Sequence, residues 1–232
     1  MDTSPEAPTH AERHAPRRDG DAHRIVFQPF VEFATGEVRG YEALARFEDG
    51  RIPPEHLEQA AAEHRRRALE LRLLRSAVAA AEHLPADMIV TVNASADTLV
   101  APELGRPFPD GRRWGIELSE TSSLPPETDL LVVCHAVGAE LLLDDVGAAN
   151  AGEEWIRTIR PDIVKIDRAV VWGAAEGDPR RSAELDAFSR AARDVGATVV
   201  VEGIETTAHQ ETAVSHGATH GQGYLYGRPR PV

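Results

Sequence analysis

The chain has 232 residues, with 25 Lys and Arg against 38 Asp and Glu, and so a formal net charge of −13 at pH 7. That length fits one large domain or two small ones, an α/β barrel of about 250 residues included, and a hydrophobic content of 42% suffices to bury a core. No apolar run reaches the roughly 18 residues of a membrane span, no secretory signal opens the chain, the acidic balance speaks against DNA binding through a basic face, and a single cysteine, Cys134, excludes an internal disulfide and fits a reducing cytoplasm.

Residues 1–23 are rich in Pro, Ala, Arg, Asp and His and are expected to form a disordered tail, with 24–232 as the folded domain. His10, His14 and His23 are then solvated tail residues. Short apolar or β-branched runs predict strands at 24–30, 38–45, 88–93, 114–118, 139–144, 162–166, 197–201 and 221–226. Helices are predicted at 54–84 (two, or one bent), 126–137, 151–159, 182–195 and 207–216. Gly196 and Gly217 supply stop signals, and Thr206 and Thr207 a start. The stretches 101–113 and 172–179 read as loops, and no internal repeat is visible. Strands alternating with helices in one domain predict an α/β fold, a TIM-like (β/α)8 barrel. The connection 31–37 is too short for a helix, so the first two strands should pair antiparallel and make the barrel irregular at its start.

The polar residues at the ends of the apolar runs carry the chemistry. MIVTV ends in Asn93, WGI in Glu117, ELLL in Asp144 and Asp145, DIV in Lys165 and TVVV in Glu202, while Glu42 lies inside the second strand. Strand C-termini of a barrel converge on one rim. Five carboxylates crowded there against one ammonium would repel one another unless cations neutralise them. Oxygen donors without thiolate or imidazole favour Mg²⁺ or Mn²⁺, and two such ions suit phosphodiester hydrolysis. A single acid after a strand could equally cap the next helix; the full set at successive strand ends makes that reading poor.

The same residues carry a resemblance. Glu42-Ala43-Leu44 within GYEALAR, preceded by Gln28-Pro29 and succeeded in order by VNAS, ELSE, LLDDVG, VKID, VVEGIET and QGYLYGRP, resembles the EAL domain family of bacterial cyclic di-GMP phosphodiesterases from residue 24 to 232. The resemblance implies that Glu42, Asn93, Glu117 and Asp144 hold one metal ion, with Asp144, Asp145 and Glu202 serving a second. It implies that Lys165 stabilises developing charge beside the attacking water and that Glu202 is a candidate general base. Arg46 would reach a substrate phosphate, and Gln28 and Gln222 would contact the nucleotide or order the site. Asp167 would orient Lys165, Glu205 would fasten the loop after Asp145, and Glu120 would be secondary. On the residues alone, Arg46 could be a surface ion pair, Gln222 a turn residue and Asp167 a helix cap. One departure stands out: where the family has Asp-Phe-Gly-Thr-Gly, this chain has Asp145-Val146-Gly147-Ala148-Ala149, and then Asn150, which puts second-metal affinity and turnover in question.

The expected activity is metal-dependent hydrolysis of one 3′–5′ bond of cyclic di-GMP to linear pGpG by a two-metal mechanism. With no folded sensor expected before residue 24, regulation would come from a homodimer, a regulatory protein partner or the tail. A catalytically weak cyclic di-GMP receptor and a protein-interaction module are the alternatives. An enolase-like lyase would need a capping domain that the tail is too short to provide.

Overall fold

The structure is a computed structural model and describes residues 21–119, 129–148 and 152–232. Eight strands, β1 (His23–Glu32), β2 (Val38–Phe47), β3 (Ile89–Asn93), β4 (Trp114–Ser119), β5 (Glu140–Val146), β6 (Ile163–Ile166), β7 (Thr198–Val201) and β8 (His220–Gln222), close into a barrel in sequence order. β1 runs antiparallel to both β2 and β8, and the other neighbours pair parallel. The TIM-like barrel with an antiparallel first pair is therefore as the sequence predicts.

Helices α1 (Pro53–Ala62), α2 (Arg66–Ala80), α3 (Ala96–Leu99), α4 (Leu130–Ala136), α5 (Glu153–Ile159), α6 (Arg168–Ala175), α7 (Pro179–Val195) and α8 (Thr207–Ser215) cover the outside. Their starts are chemically marked: the side chains of Ser95, Asp129, Asp167, Asp178 and Thr206 each accept a first-turn N–H. No helix among the described residues is long and apolar enough to cross a membrane.

Region 54–84 forms two helices as expected, α1 and α2, followed by a 3₁₀ turn at Ala81–His83. Three other expectations need adjustment. The predicted loop 172–179 is mostly helix, because Asp167 caps α6 and Val170, Val171 and Ala174 give it a buried stripe. Its Gly173 is a close-approach residue and not a breaker, since a Cβ there would sit 2.6 Å from Arg181 Cγ of α7. The last strand is shorter than 221–226, because the chain turns at Gly223, where Tyr226 N–H bonds to the Gly223 carbonyl. Residues 21–23, placed in the tail by composition, belong to the fold: His23 opens β1, and buried Asp21 pairs with Arg65, which precedes α2, and with Arg72 of α2.

Side-chain alternation along the strands builds the interior in layers. Phe30, Ile89, Leu142, Ile163 and Val200 come from five strands and pack into one buried cluster. Gly40 and Gly115 make room for it: a Cβ on Gly115 would stand 2.5 Å from Leu142 Cδ1, and one on Gly40 would collide with Ile89 and Phe30. Two residues further toward the mouth stand Glu42 after Gly40, Glu117 after Gly115, Asp144 after Leu142, Lys165 after Ile163 and Glu202 after Val200. In antiparallel β1 the step reverses, from Phe30 back to Gln28. An apolar floor thus lies directly beneath a polar layer.

Strands β1 and β2 are longer than the rest. β3 pairs only with Gly40–Ala43 of β2, and β8 only with Phe30–Glu32 of β1. The remainder of the hairpin stands above the mouth as a wall, its β1 edge bridged at Phe27 by Arg230 of the C-terminal segment. Its outer face carries Phe47, which clusters with Ala60 and Leu69 and stacks on buried His56 at 3.6 Å.

Candidate metal-binding active site

The polar layer meets around Lys165. Its Nζ lies 2.7 Å from Glu117 Oε2, 2.8 Å from Asp144 Oδ1, 2.7 Å from Glu202 Oε1 and 3.5 Å from Glu42 Oε2. Glu42 is bridged in turn by Asn93, whose Nδ2 donates to Oε1 at 3.2 Å, and by Gln222, whose Nε2 donates to Oε2 at 2.7 Å. β2, β3, β4, β5, β6 and β8 thus each supply one member, and the turn after β7 supplies Glu202. Glu42, Glu117, Asp144, Lys165 and Gln222 are buried, while Asn93 sits exposed at the rim.

Asp144 and Asp145 are adjacent in β5, and regular pleating would send them to opposite faces. The ladder between β5 and β6 is interrupted between Leu143 and Val146, and Asp145 adopts φ +58°, a left-handed conformation uncommon for a residue with a side chain. Both carboxylates consequently turn to the mouth, where one oxygen each of Asp144, Asp145 and Glu202 lie within 4.8 Å of one another. Gly147, at φ +96°, completes the turn against Val170 and Phe188, where a Cβ would stand 2.6 Å from Val170 Cγ2.

Burial and mutual repulsion govern the protonation of this set. Burial holds the Glu117 carboxyl well above its usual range, with the Glu42 charge adding to it and Lys165 opposing it. Burial pushes Glu202 up to about 8 and Asp145 up to about 6, with Asp144 raising both. Lys165 moves the other way: burial disfavours its charge, but Asp144, Glu117, Glu202 and Glu42 together hold it protonated well beyond the ordinary lysine range.

The donor set fits hard divalent cations. Five carboxylates face one ammonium, leaving a formal surplus of four negative charges when all are ionised. Among the described residues, Glu117 Oε1 and Gln222 Oε1 are buried oxygens without a hydrogen-bond donor, and carboxylate and amide oxygens are the ligands that Mg²⁺, Mn²⁺ or Ca²⁺ prefer. Cys134 is no rival ligand: it is buried in α4, and its thiol is pushed up to about 12.

The remaining expected residues lie around this centre or on the wall above it. Gln28 pairs in register with Glu42 and donates to the Gly227 carbonyl at 3.4 Å. Arg46 stands on the wall and donates to its neighbouring Ala45 carbonyl at 2.8 Å. Asp167, expected to orient Lys165, instead accepts from Ala169 N–H at 2.9 Å and caps α6, because the four carboxylates already surround the ammonium. Glu205 is exposed on the turn before α8. The loop that it is expected to fasten runs into residues 149–151, which, like Glu120, lie outside the described residues.

Sequence reading passes over Glu70 and Thr91. Glu70, buried on α2, accepts from Ser95 N–H at 3.0 Å and Ser95 Oγ at 2.6 Å and so fixes the turn just after Asn93. Its spacing from Arg66 looks like any exposed i,i+4 pair, and that pair does form, at 2.8 Å. Thr91, buried in β3 beside Glu42 and Gly115, finds no partner for its hydroxyl among the described residues.

Fold and site together define a TIM-like α/β barrel whose mouth is an acidic, lysine-centred site with oxygen donors of the kind divalent cations take. The EAL domain family matches residues 13–229, and the chain belongs to that family. Among its relatives are the probable cyclic di-GMP phosphodiesterase PdeG of Escherichia coli K12, 28% identical over 88% of this chain, and the cyclic di-GMP phosphodiesterase PA2567 of Pseudomonas aeruginosa PAO1, 27% identical over 90%. The chain spans 44% and 38% of the lengths of those two proteins. Among solved structures, the manganese and cyclic di-GMP complex of Klebsiella pneumoniae BlrP1 superposes with a TM-score of 0.78 at 28% identity, covering 95% of this chain and 58% of that one.

Proposed function

We propose that this chain is a metal-dependent phosphodiesterase that hydrolyses one 3′–5′ bond of cyclic di-GMP and releases linear pGpG. The observation that carries the proposal is the convergence of Glu117, Asp144 and Glu202 on Lys165 Nζ at 2.7–2.8 Å, directly beside the Asp144, Asp145 and Glu202 oxygens. The names of the relatives and the ligands of BlrP1 support the choice of substrate. Two Mg²⁺ or Mn²⁺ ions, one held by Glu42, Asn93, Glu117 and Asp144 and one by Asp144, Asp145 and Glu202, would supply Lewis acidity at the phosphate and the water.

The chain's own groups do the rest. Glu202, on the rim beside Lys165, accepts the proton of the attacking water. Water oxygen bonds to phosphorus as the bond to the 3′ oxygen breaks; the departing 3′ oxygen takes up a proton from solvent, which leaves a 3′ hydroxyl and a 5′ phosphate. Lys165 Nζ donates toward the phosphate oxygens as charge builds on them. Gln222 and Asn93 fix the Glu42 carboxylate from two sides, while Gln28 and Arg46 line the wall on the substrate side. A homodimer, a regulatory protein partner and a cytoplasmic setting belong to the same reading, the last in keeping with a lone, buried cysteine.

The test is incubation with cyclic di-GMP and Mn²⁺ or Mg²⁺, and then separation of products. Accumulation of pGpG is expected, and cyclic di-GMP returned uncut overturns the enzyme reading. Binding without product would favour the second reading, a receptor, for which Val146 and Ala148 in the loop after Asp145 are the motivating departures from the family pattern.

A further inference from the structure

A cyclic dinucleotide carries two phosphates, and only one is cleaved at a time. The acids at the mouth repel the other, so it needs positive charge of its own. The wall formed by β1 and β2 supplies a candidate. Its register is unbroken from His23 opposite Phe47 to Phe30 opposite Gly40, with Gln28 opposite Glu42. Side chains alternate between faces, so the face carrying Gln28 and Glu42 continues upward through Val26 and Leu44 to Arg24 and Arg46. The opposite face, through Phe27, Ala43, Ala45 and Phe47, packs into the helix-backed core.

Arg24 and Arg46 are therefore direct cross-strand partners, four residues beyond Glu42 and roughly 13 Å along the strand. Like charges directly opposite each other on a ladder are destabilising. No compensating acid relieves this pair: among the described residues, neither arginine lies within ion-pair distance of a carboxylate. Other described arginines also lack a carboxylate, Arg75 and Arg190 among them; what sets Arg24 and Arg46 apart is that they stand directly opposite each other on the ladder. Two arginines directly opposite each other beside the mouth of an otherwise acidic site can offer paired donors to one anion.

We propose that Arg24 is a second phosphate-binding residue and forms with Arg46 a two-guanidinium clamp for the phosphate that is not cleaved. The clamp rests on the reading of the substrate as a cyclic dinucleotide. Guanidinium groups suit the task because they present paired donors to phosphate oxygens. Since that phosphate does not react, its contacts should be equal in ground and transition states and appear in KM.

The experiment is steady-state hydrolysis of cyclic di-GMP with Mn²⁺ by wild type, Arg24→Ala, Arg24→Lys and, as a control, Arg39→Ala at the far end of the hairpin. Arg24→Ala should raise KM about tenfold with kcat within about twofold, Arg24→Lys should recover part of the loss, and Arg39→Ala should match wild type. Without ligand, Arg24→Ala should melt no lower than wild type, because a repulsion is removed, and it should gain less thermal stability from cyclic di-GMP with Ca²⁺. Unchanged KM in Arg24→Ala, or a loss confined to kcat, overturns the clamp alone. Wild type that neither binds nor cuts cyclic di-GMP overturns the clamp together with the substrate reading.

Discussion

Asp144 and Asp145 are consecutive in the chain, yet both reach the Glu202 carboxylate, because the interrupted ladder and the φ of +58° at Asp145 turn the second side chain to the face of the first. The strain is local and chemically purposeful: it places a fifth carboxylate at the mouth, where a regular strand would have pointed it to the opposite face.

Asp145→Asn keeps a residue type that tolerates the left-handed region but removes the charge. It should fold normally, lose about tenfold or more in turnover and show a smaller melting-temperature rise on adding Mn²⁺. Asp145→Gly should be equally inactive yet more stable than wild type without metal, by about 1 kcal/mol in urea denaturation, because the backbone strain is relieved. Full activity in either variant would remove Asp145 from the site.

Protonation gives the metal-free protein a pH dependence of definite sign. Glu202, ordinarily near 4.5, is pushed up to about 8, and Asp145, ordinarily near 3.8, up to about 6. Between the ordinary and the raised values the folded state holds protons that the unfolded state releases. Stability in EDTA is then greatest at the acid end of this window and falls as pH rises toward 8. Mn²⁺ displaces the same protons, so its stabilising effect should grow across the same window. Melting curves from pH 5 to 8.5 (a range bracketing about 6 and about 8), with EDTA and with Mn²⁺, check both signs.

Lys165→Met removes the only ammonium among four carboxylates. At pH 8 and without metal it should cost about 3–5 kcal/mol, the usual penalty for leaving buried charge uncompensated. Part should return at pH 5.5, where the carboxyls hold protons, and part with Mn²⁺. Turnover should fall further than cyclic di-GMP affinity, measured in Ca²⁺, and equal losses would argue against a role for Lys165 in stabilising developing charge.

Glu70→Ala tests a residue that touches no reacting atom. It leaves Ser95 N–H and Oγ without their acceptor and frees the turn behind Asn93. Destabilisation of about 1–3 kcal/mol is expected, with about 10–100-fold weaker Mn²⁺ binding by calorimetry, the range for residues that orient ligands. Unchanged metal affinity would reduce Glu70 to a purely structural anchor.

Gly115→Ala probes the floor beneath the acids. The added methyl would meet Leu142 Cδ1 at 2.5 Å and Thr91 Cγ2 at 3.0 Å. Overpacking should cost about 1–3 kcal/mol, and since Leu142 and Asp144 lie two residues apart on one face of β5, the Mn²⁺-induced melting shift should shrink with it. A variant as stable as wild type would show that the interior yields easily at this level.

The barrel, its antiparallel opening, and the identities of Glu42, Asn93, Glu117, Asp144, Lys165 and Glu202 are legible in the order of residues alone, because strand periodicity and strand-end polarity are local signals that a one-dimensional pattern preserves. That pattern misleads at 172–179, which reads as a loop until the buried stripe of α6 is seen against the core, and at Asp167, which serves an N–H of α6 and not Lys165. The inward turn of Asp145, the hold of Glu70 on the turn after Asn93, and the pairing of Arg24 with Arg46 emerge only once the chain is folded. Each depends on the register or packing of segments remote in the chain, and residue type alone cannot encode which strand a side chain will stand against.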